Sequence, residues 1–165
     1  MKKCILVILI APLTLGCEVF FYDMVWEDWQ VISSREVYSY EGAVFYCENL
    51  GLAGHDRWRL PTVGEMRSLI RGCPNNESAG PCTLGGQCLS SSCDDNCDGC
   101  PENQGPNSGC YWPSVMNNSG RDCGMYWSSS VIEDRSTHWV IDFSTGDFKT
   151  TVADASQIGV KCIME

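Results

Sequence analysis

The sequence predicts an α+β domain: two helices, then an antiparallel sheet, with a long disulfide-rich loop inserted before the sheet. Three observations carry that prediction. Apolar residues recur at helical spacing in two stretches near residues 40–50 and 63–70. Four short aromatic or β-branched runs close the chain. Eight of the twelve cysteines lie between Cys73 and Cys123, where almost nothing apolar accompanies them.

The first helix is read from Tyr40, Ala43, Val44, Cys47 and Leu50, which share one face, with Ser39 as its cap and Gly51 ending it. Cys47 falls on the buried stripe. The second opens at "PTVGE", where Thr62 and Glu65 have capping-box spacing: the hydroxyl and the carboxylate each satisfy a backbone donor that the first turn leaves unpaired. Val63, Met66, Leu69 and Ile70 mark its inner face, and Gly72–Cys73 close it. Strands are expected at 124–132, 137–144, 147–152 and 158–164, with a hairpin turn at Ser144-Thr145-Gly146-Asp147.

How the cysteines are used depends on the compartment. "MKKCILVILIAPLTLGC" has two lysines, a short apolar run and small residues before a cysteine, the layout of an export signal. The run falls short of the roughly 20 apolar residues that a spanning helix needs. Leu13-Thr14-Leu15-Gly16-Cys17 resembles a bacterial lipobox, which implies cleavage after residue 16, lipid on Cys17 and a tether over residues 17–23. Glu18 is not the aspartate associated with inner-membrane retention, so the resemblance implies an outer-membrane lipoprotein of the bacterial cell envelope. Loss of Lys2 and Lys3 with the signal takes the formal charge from −10 to −12, a surface that disfavours nucleic acid and other polyanions.

Setting aside Cys4 and Cys17 leaves ten cysteines: Cys47, Cys73, Cys82, Cys88, Cys93, Cys97, Cys100, Cys110, Cys123 and Cys162. An even number in an exported chain reads as five disulfides, with about 945 possible pairings. From Pro74 to Gly109 the only aliphatic side chains are Ala79, Leu84 and Leu89, so cross-links must replace a core across the insertion, about residues 73–123. Cys110 with Cys123 would close a compact loop around "YWPSVM".

"YEGAVFYCENLGLAGHDRWRLPTVGEMRSLI", "GCYWP", "YWSSS", "WVIDFSTGD" and "VKCI" closely resemble the Lcl C-terminal-like domain family over roughly residues 22–165. The run Trp58–Thr62 followed by Glu65 is its most specific mark, and Arg57 departs from the aspartate usual before the tryptophan. The resemblance implies a C-type lectin-like fold for the domain, placed at 24–165. It also implies a bridge from the first helix to the last strand, between Cys47 and Cys162.

Asp94, Asn96, Asp98 and Glu102 follow the start of an oxygen-ligand calcium loop, but Gly105 stands where the bidentate glutamate belongs, so calcium is a minor alternative to a polar, cross-linked turn. Cys97-Asp-Gly-Cys100 has redox spacing without a strand-to-helix context, and export disfavours zinc on thiolates. His55 and His138 have no nucleophile marked beside them, and Ser128–Ser130 lack a nucleophile elbow. Animal-lectin sugar motifs are absent. The chain is therefore expected not to be an enzyme. Trp112 and Trp127 are expected mainly as core. If a ligand surface exists at the loop framework, Tyr111, Trp112, Arg121, Tyr126 and Trp127 are its candidates. The functional expectation is a membrane-anchored domain for adhesion or binding of a glycan or protein. The alternative is a structural envelope component.

Overall fold

A computed structural model describes residues 25–31, 38–85, 90, 92–93, 96–119, 123–132, 137–155 and 158–165. The expected signal and tether, with Cys17 as the expected lipid site, lie outside them, as do Cys88, Asp94 and Arg121. Among the described residues no helix is long and apolar enough to cross a membrane.

Helix α1 (Tyr40–Glu48) starts where expected, with the Ser39 hydroxyl accepting from the Gly42 amide. Asn49 ends it: its backbone and side-chain amides both donate to the Phe45 carbonyl. Ala43 and Cys47 are fully buried.

Helix α2 (Val63–Arg67) has the complete capping box but is shorter than the sequence predicts. After Arg67 the chain tightens, because the amides of Leu69 and Ile70 bond three residues back rather than four, and the Arg71 amide is taken by the Tyr111 carbonyl. Leu69 and Ile70 remain core residues outside the helix.

The predicted hairpin sheet forms from β4 (Met125–Val131), β5 (Thr137–Asp142) and β6 (Asp147–Val152) in an antiparallel meander. Its turn is closed by Asp142 opposite Asp147, and Gly146 takes φ +64°, where an added Cβ would meet Cys73 Cβ at 3.0 Å.

The last predicted strand is corrected. Residues 158–164 do not join the meander as a fourth strand. Ile158 bridges Tyr38, Gly159 bridges Tyr126, and only β7 (Ile163–Met164) is strand. It belongs to a separate small sheet with β1 (Val25–Trp26), β2 (Trp29–Gln30) and β3 (Trp58–Arg59), in the order β1-β2-β7-β3. Two-residue strands carry no readable period, so this knitting of the two chain ends left no trace in the sequence pattern.

The segment 158–163 is buried on both faces and divides two cores. Val160 and Cys162 pack with Ala43, Cys47, Trp58, Leu60 and Trp127. Strand β5 divides them too, with Val140 facing that cluster and Trp139 and Ile141 facing the other, which holds Met66, Leu69, Trp112 and Phe143. The Cys47–Cys162 disulfide joins α1 to this divider.

The "WRLPT…E" and "YWSSS" runs meet in one hydrogen-bonded joint. Arg59 forks onto Glu65 at 2.8 and 2.6 Å, and Glu65 Oε2 also accepts from the Thr62 amide at 2.8 Å. Opposite them the Ser129 amide donates to the Pro61 carbonyl at 2.7 Å, which accounts for the register shift between Trp127 and Val131. Ser130 Oγ accepts from the Val63 amide, and Ser128 Oγ donates to the Trp139 carbonyl. The serines therefore tie α2, β4 and β5 together.

The Arg59 hydrogen bonds foremost, against burial, pull the Glu65 carboxyl down to about 2. A carboxyl depressed on folding contributes stability that is full above its ordinary value of about 4.3 and is lost as pH falls through its folded value. Glu65→Gln is expected to lower stability at pH 7 by about 1–2 kcal/mol through the weakened cap and fork. Urea unfolding between pH 5 and 2 should also show a shallower acid decline for the variant than for the wild type.

Candidate functional site: the cross-linked insertion

From Pro74 to Gly109 the insertion is held more by bonds than by apolar packing, whereas Tyr111, Trp112 and Met116 after that stretch join the core. Cys73–Cys100 encloses Cys82–Cys97, and Cys110–Cys123 closes the next loop as the sequence suggested. Cys93 is also disulfide-bonded. Leu84 is the one aliphatic side chain that the described insertion sends fully into the core.

A single guanidinium supplies much of the remaining order. Residues 72–120 contain no lysine, arginine or histidine. Into that cation-free stretch the last residue of α2, Arg67, donates from Nε to the Asn76 carbonyl (3.1 Å) and from Nη1 to the Leu84 carbonyl (2.9 Å). Its Nη2 donates to the carbonyls of Glu77 (2.8 Å) and Gly80 (3.2 Å). The planar fork serves four carbonyls of a loop without regular secondary structure, of which Glu77 also accepts from the Gly80 amide.

The insertion then docks on the β5–β6 turn. Fully buried Asn76 donates from Nδ2 to the carbonyls of Gly146 (2.7 Å) and Cys97 (3.2 Å). The amides of Cys100 and Asn103 donate to the carbonyls of Thr145 and Ser144, at 2.7 and 2.8 Å. Tyr111 donates from its hydroxyl to the Pro101 carbonyl and from its amide to the Phe143 carbonyl. Beneath the turn, burial acts to raise the Asp142 carboxyl. Hydrogen bonds from Lys149 (2.7 Å) and Ser144 (2.6 Å) outweigh it, so the group lies below its ordinary value. Burial raises Asp147, with Asp142 and Asp98 adding to it.

Trp112 and Trp127 are core, as mainly expected, and the conditional ligand face at Tyr111, Trp112, Tyr126 and Trp127 does not form. Tyr111, Trp112, Tyr126 and Trp127 are at most 3% exposed and pack as core. Trp112 lies 5.3 Å from Phe143 and 5.7 Å from Tyr126, and Trp127 Nε1 donates to the Tyr38 carbonyl. An aromatic ring at that depth cannot stack on a sugar. Asn96, Asp98 and Glu102 are exposed. Among the described residues no group of three or more His, Cys, Asp or Glu side chains is placed to hold a metal ion. His55 is exposed in a turn, and His138 is buried and stacked on Tyr40 at 3.5 Å.

What faces solvent is a polar rim, including Asn75, Asn96, Asp98, Glu102, Asn103 and Gln104. Asn96 and Asn103 sit at φ +58° and +56°, left-handed turns that asparagine tolerates better than most residues. Such a rim can exchange hydrogen bonds with hydroxyls and amides from a fixed backbone. Sequence reasoning missed Arg67 and Asn76. The available signal was a long cation-free insertion directly after a helix whose last turn ends in arginine.

A family model described as the Lcl C-terminal domain matches residues 22–164. No curated protein and no solved structure matches the chain.

Proposed function

The chain belongs to the Lcl C-terminal domain family, and from that premise we propose a non-enzymatic, lipid-anchored envelope protein whose cross-linked insertion binds a glycan or protein ligand in adhesion. One observation carries the reading. The insertion is covalently stapled, clamped by Arg67 and seated on the β5–β6 turn, while its outer face is amides, hydroxyls and carboxylates. A surface ordered before binding loses little conformational entropy when a ligand arrives. The motif residues of the "WRLPT…E" and "YWSSS" runs are engaged in holding the fold, which favours the insertion rather than those runs as the working surface.

A C-type lectin-like arrangement is the finer fold reading. It is supported by the cystine from the first helix to the terminal segment, by the paired chain ends in one small sheet, and by a long loop region inserted before the main hairpins. Anchoring through Cys17 at the outer membrane completes the proposal, following the lipobox-like run.

The test is glycan and protein arrays probed with the oxidised chain, in calcium and in chelator, beside an Arg67→Met variant. Binding that is retained in chelator and lost in the variant is expected. Absence of binding across diverse surfaces would reject recognition and leave the structural envelope role, which an envelope-integrity defect on deletion would then support.

A further inference from the structure

Lys161 is fully buried, between Val160 and Cys162 in the divider segment. Its Nζ donates to the Val31 carbonyl at 2.8 Å. The ammonium position otherwise faces rings, 5.1 Å from the centroid of Trp112 and 5.7 Å from that of Tyr126. Strand alternation would place a lysine between two buried neighbours on a solvent face. Here that face is the second core.

The surroundings offer an ion little. From the insertion comes Trp112, from β4 comes Tyr126, the one titratable group among these contacts, and from the N-terminal hairpin comes a backbone carbonyl. The hairpin's acids, Glu27 and Asp28, are exposed at its turn. One carbonyl and two ring faces compensate an ammonium only in part for the water it gives up. Burial draws its pKa down to about 7.

The three covers are not equally fixed. Trp112 follows Cys110, bridged to Cys123, and Tyr126 is in the registered pair β4–β5. The hairpin is made of two-residue strands and meets β7 through a single registered pair, Trp29 with Ile163. It is further held by Gln30, bonded to Cys162 and Tyr46, and by the Met164 amide on the Asp28 carbonyl.

We propose that Lys161 is a proton-operated latch: uncharged, it ties the Val31 carbonyl over the Trp112–Tyr126 pair, and on taking up a proton it lifts the N-terminal hairpin from the core. The hairpin is the segment next to the expected tether, so its release lengthens the connection between domain and membrane. A lysine depressed on folding binds more protons in the open form between its folded and ordinary values. The closed form therefore weakens as pH falls through that window, by up to about tenfold in the opening constant per pH unit, and levels off below the folded value.

The test is an NMR titration of the oxidised full chain in detergent micelles from pH 9.5 to 6. It follows the lysine ε-carbons, with Lys161 assigned by replacing Lys2, Lys3 and Lys149 with arginine, and the amides of Gln30, Val31 and Met164. The expected result is a Lys161 transition between its folded value of about 7 and its ordinary value, with the hairpin amides losing dispersion at the same midpoint, and hairpin signals in Lys161→Met that are constant over the range. A Lys161 signal that does not move, or one that moves while the hairpin amides stay unchanged, overturns the latch. The wild-type titration decides even if Lys161→Met does not fold.

Discussion

Replacing both Cys47 and Cys162 by alanine is expected to lower the unfolding free energy by about 4–5 kcal/mol. The bridge spans 115 residues, the longest closure among the described disulfides, so it removes the most freedom from the unfolded chain. Cys73–Cys100 and Cys110–Cys123 lie within that span and shorten the effective loop by about a third. Because closure entropy is logarithmic, this reduces the effect by only about 0.4 kcal/mol. Both sulfurs are also fully buried where α1 meets the divider, so the variant loses packing at the same point. Urea denaturation of the double variant, with the other bridges intact, measures the loss. A domain of this size commonly has a stability of about 5–15 kcal/mol, so a marked fall in midpoint is expected.

Arg67→Met is expected to cost about 3 kcal/mol, and to cost it locally. Four carbonyls lose a shared charged donor, and the Asn76 and Leu84 carbonyls belong to fully buried residues. The disulfides keep the ends of this segment together, so it opens rather than unfolding the domain. Hydrogen exchange should accelerate at the amides of residues 76–82, while β4 and β5 keep wild-type protection. Arg67→Lys should recover only part of the loss, since an ammonium cannot span four carbonyls that a planar fork reaches from three nitrogens. Equal exchange in wild type and Arg67→Met would mean that the cystines alone order the segment.

The parts of the fold legible in sequence were those whose cause is local. The Ser39 cap, the Thr62–Glu65 box and the hairpin turn at Ser144-Thr145-Gly146-Asp147 are each set by neighbours within a few residues, and each is present. The Cys47–Cys162 bridge came from family resemblance rather than spacing, and it too is present. What escaped was set by distant partners. α2 stops early because Tyr111, far along the chain, captures Arg71. Lys161 is buried because its segment lies between two cores, and strand periodicity cannot reveal that. Trp112 is core as mainly expected, whereas Tyr126, a ligand-face candidate beside the loops, is placed in the core only by its depth. Arg67 resembled an ordinary helix-end cation, whereas its role depends on four carbonyls of a loop with no sequence period.

From Pro74 to Gly109, cystines and one guanidinium replace most of an apolar core. The most direct measurement is mass spectrometry of a non-reduced digest of the native protein, alkylated before cleavage. The account predicts peptides joined as Cys73–Cys100, Cys82–Cys97 and Cys110–Cys123, with no alkylated cysteine among them. Alkylation at several of these positions, or only after a chelator strips a bound ion, would contradict it.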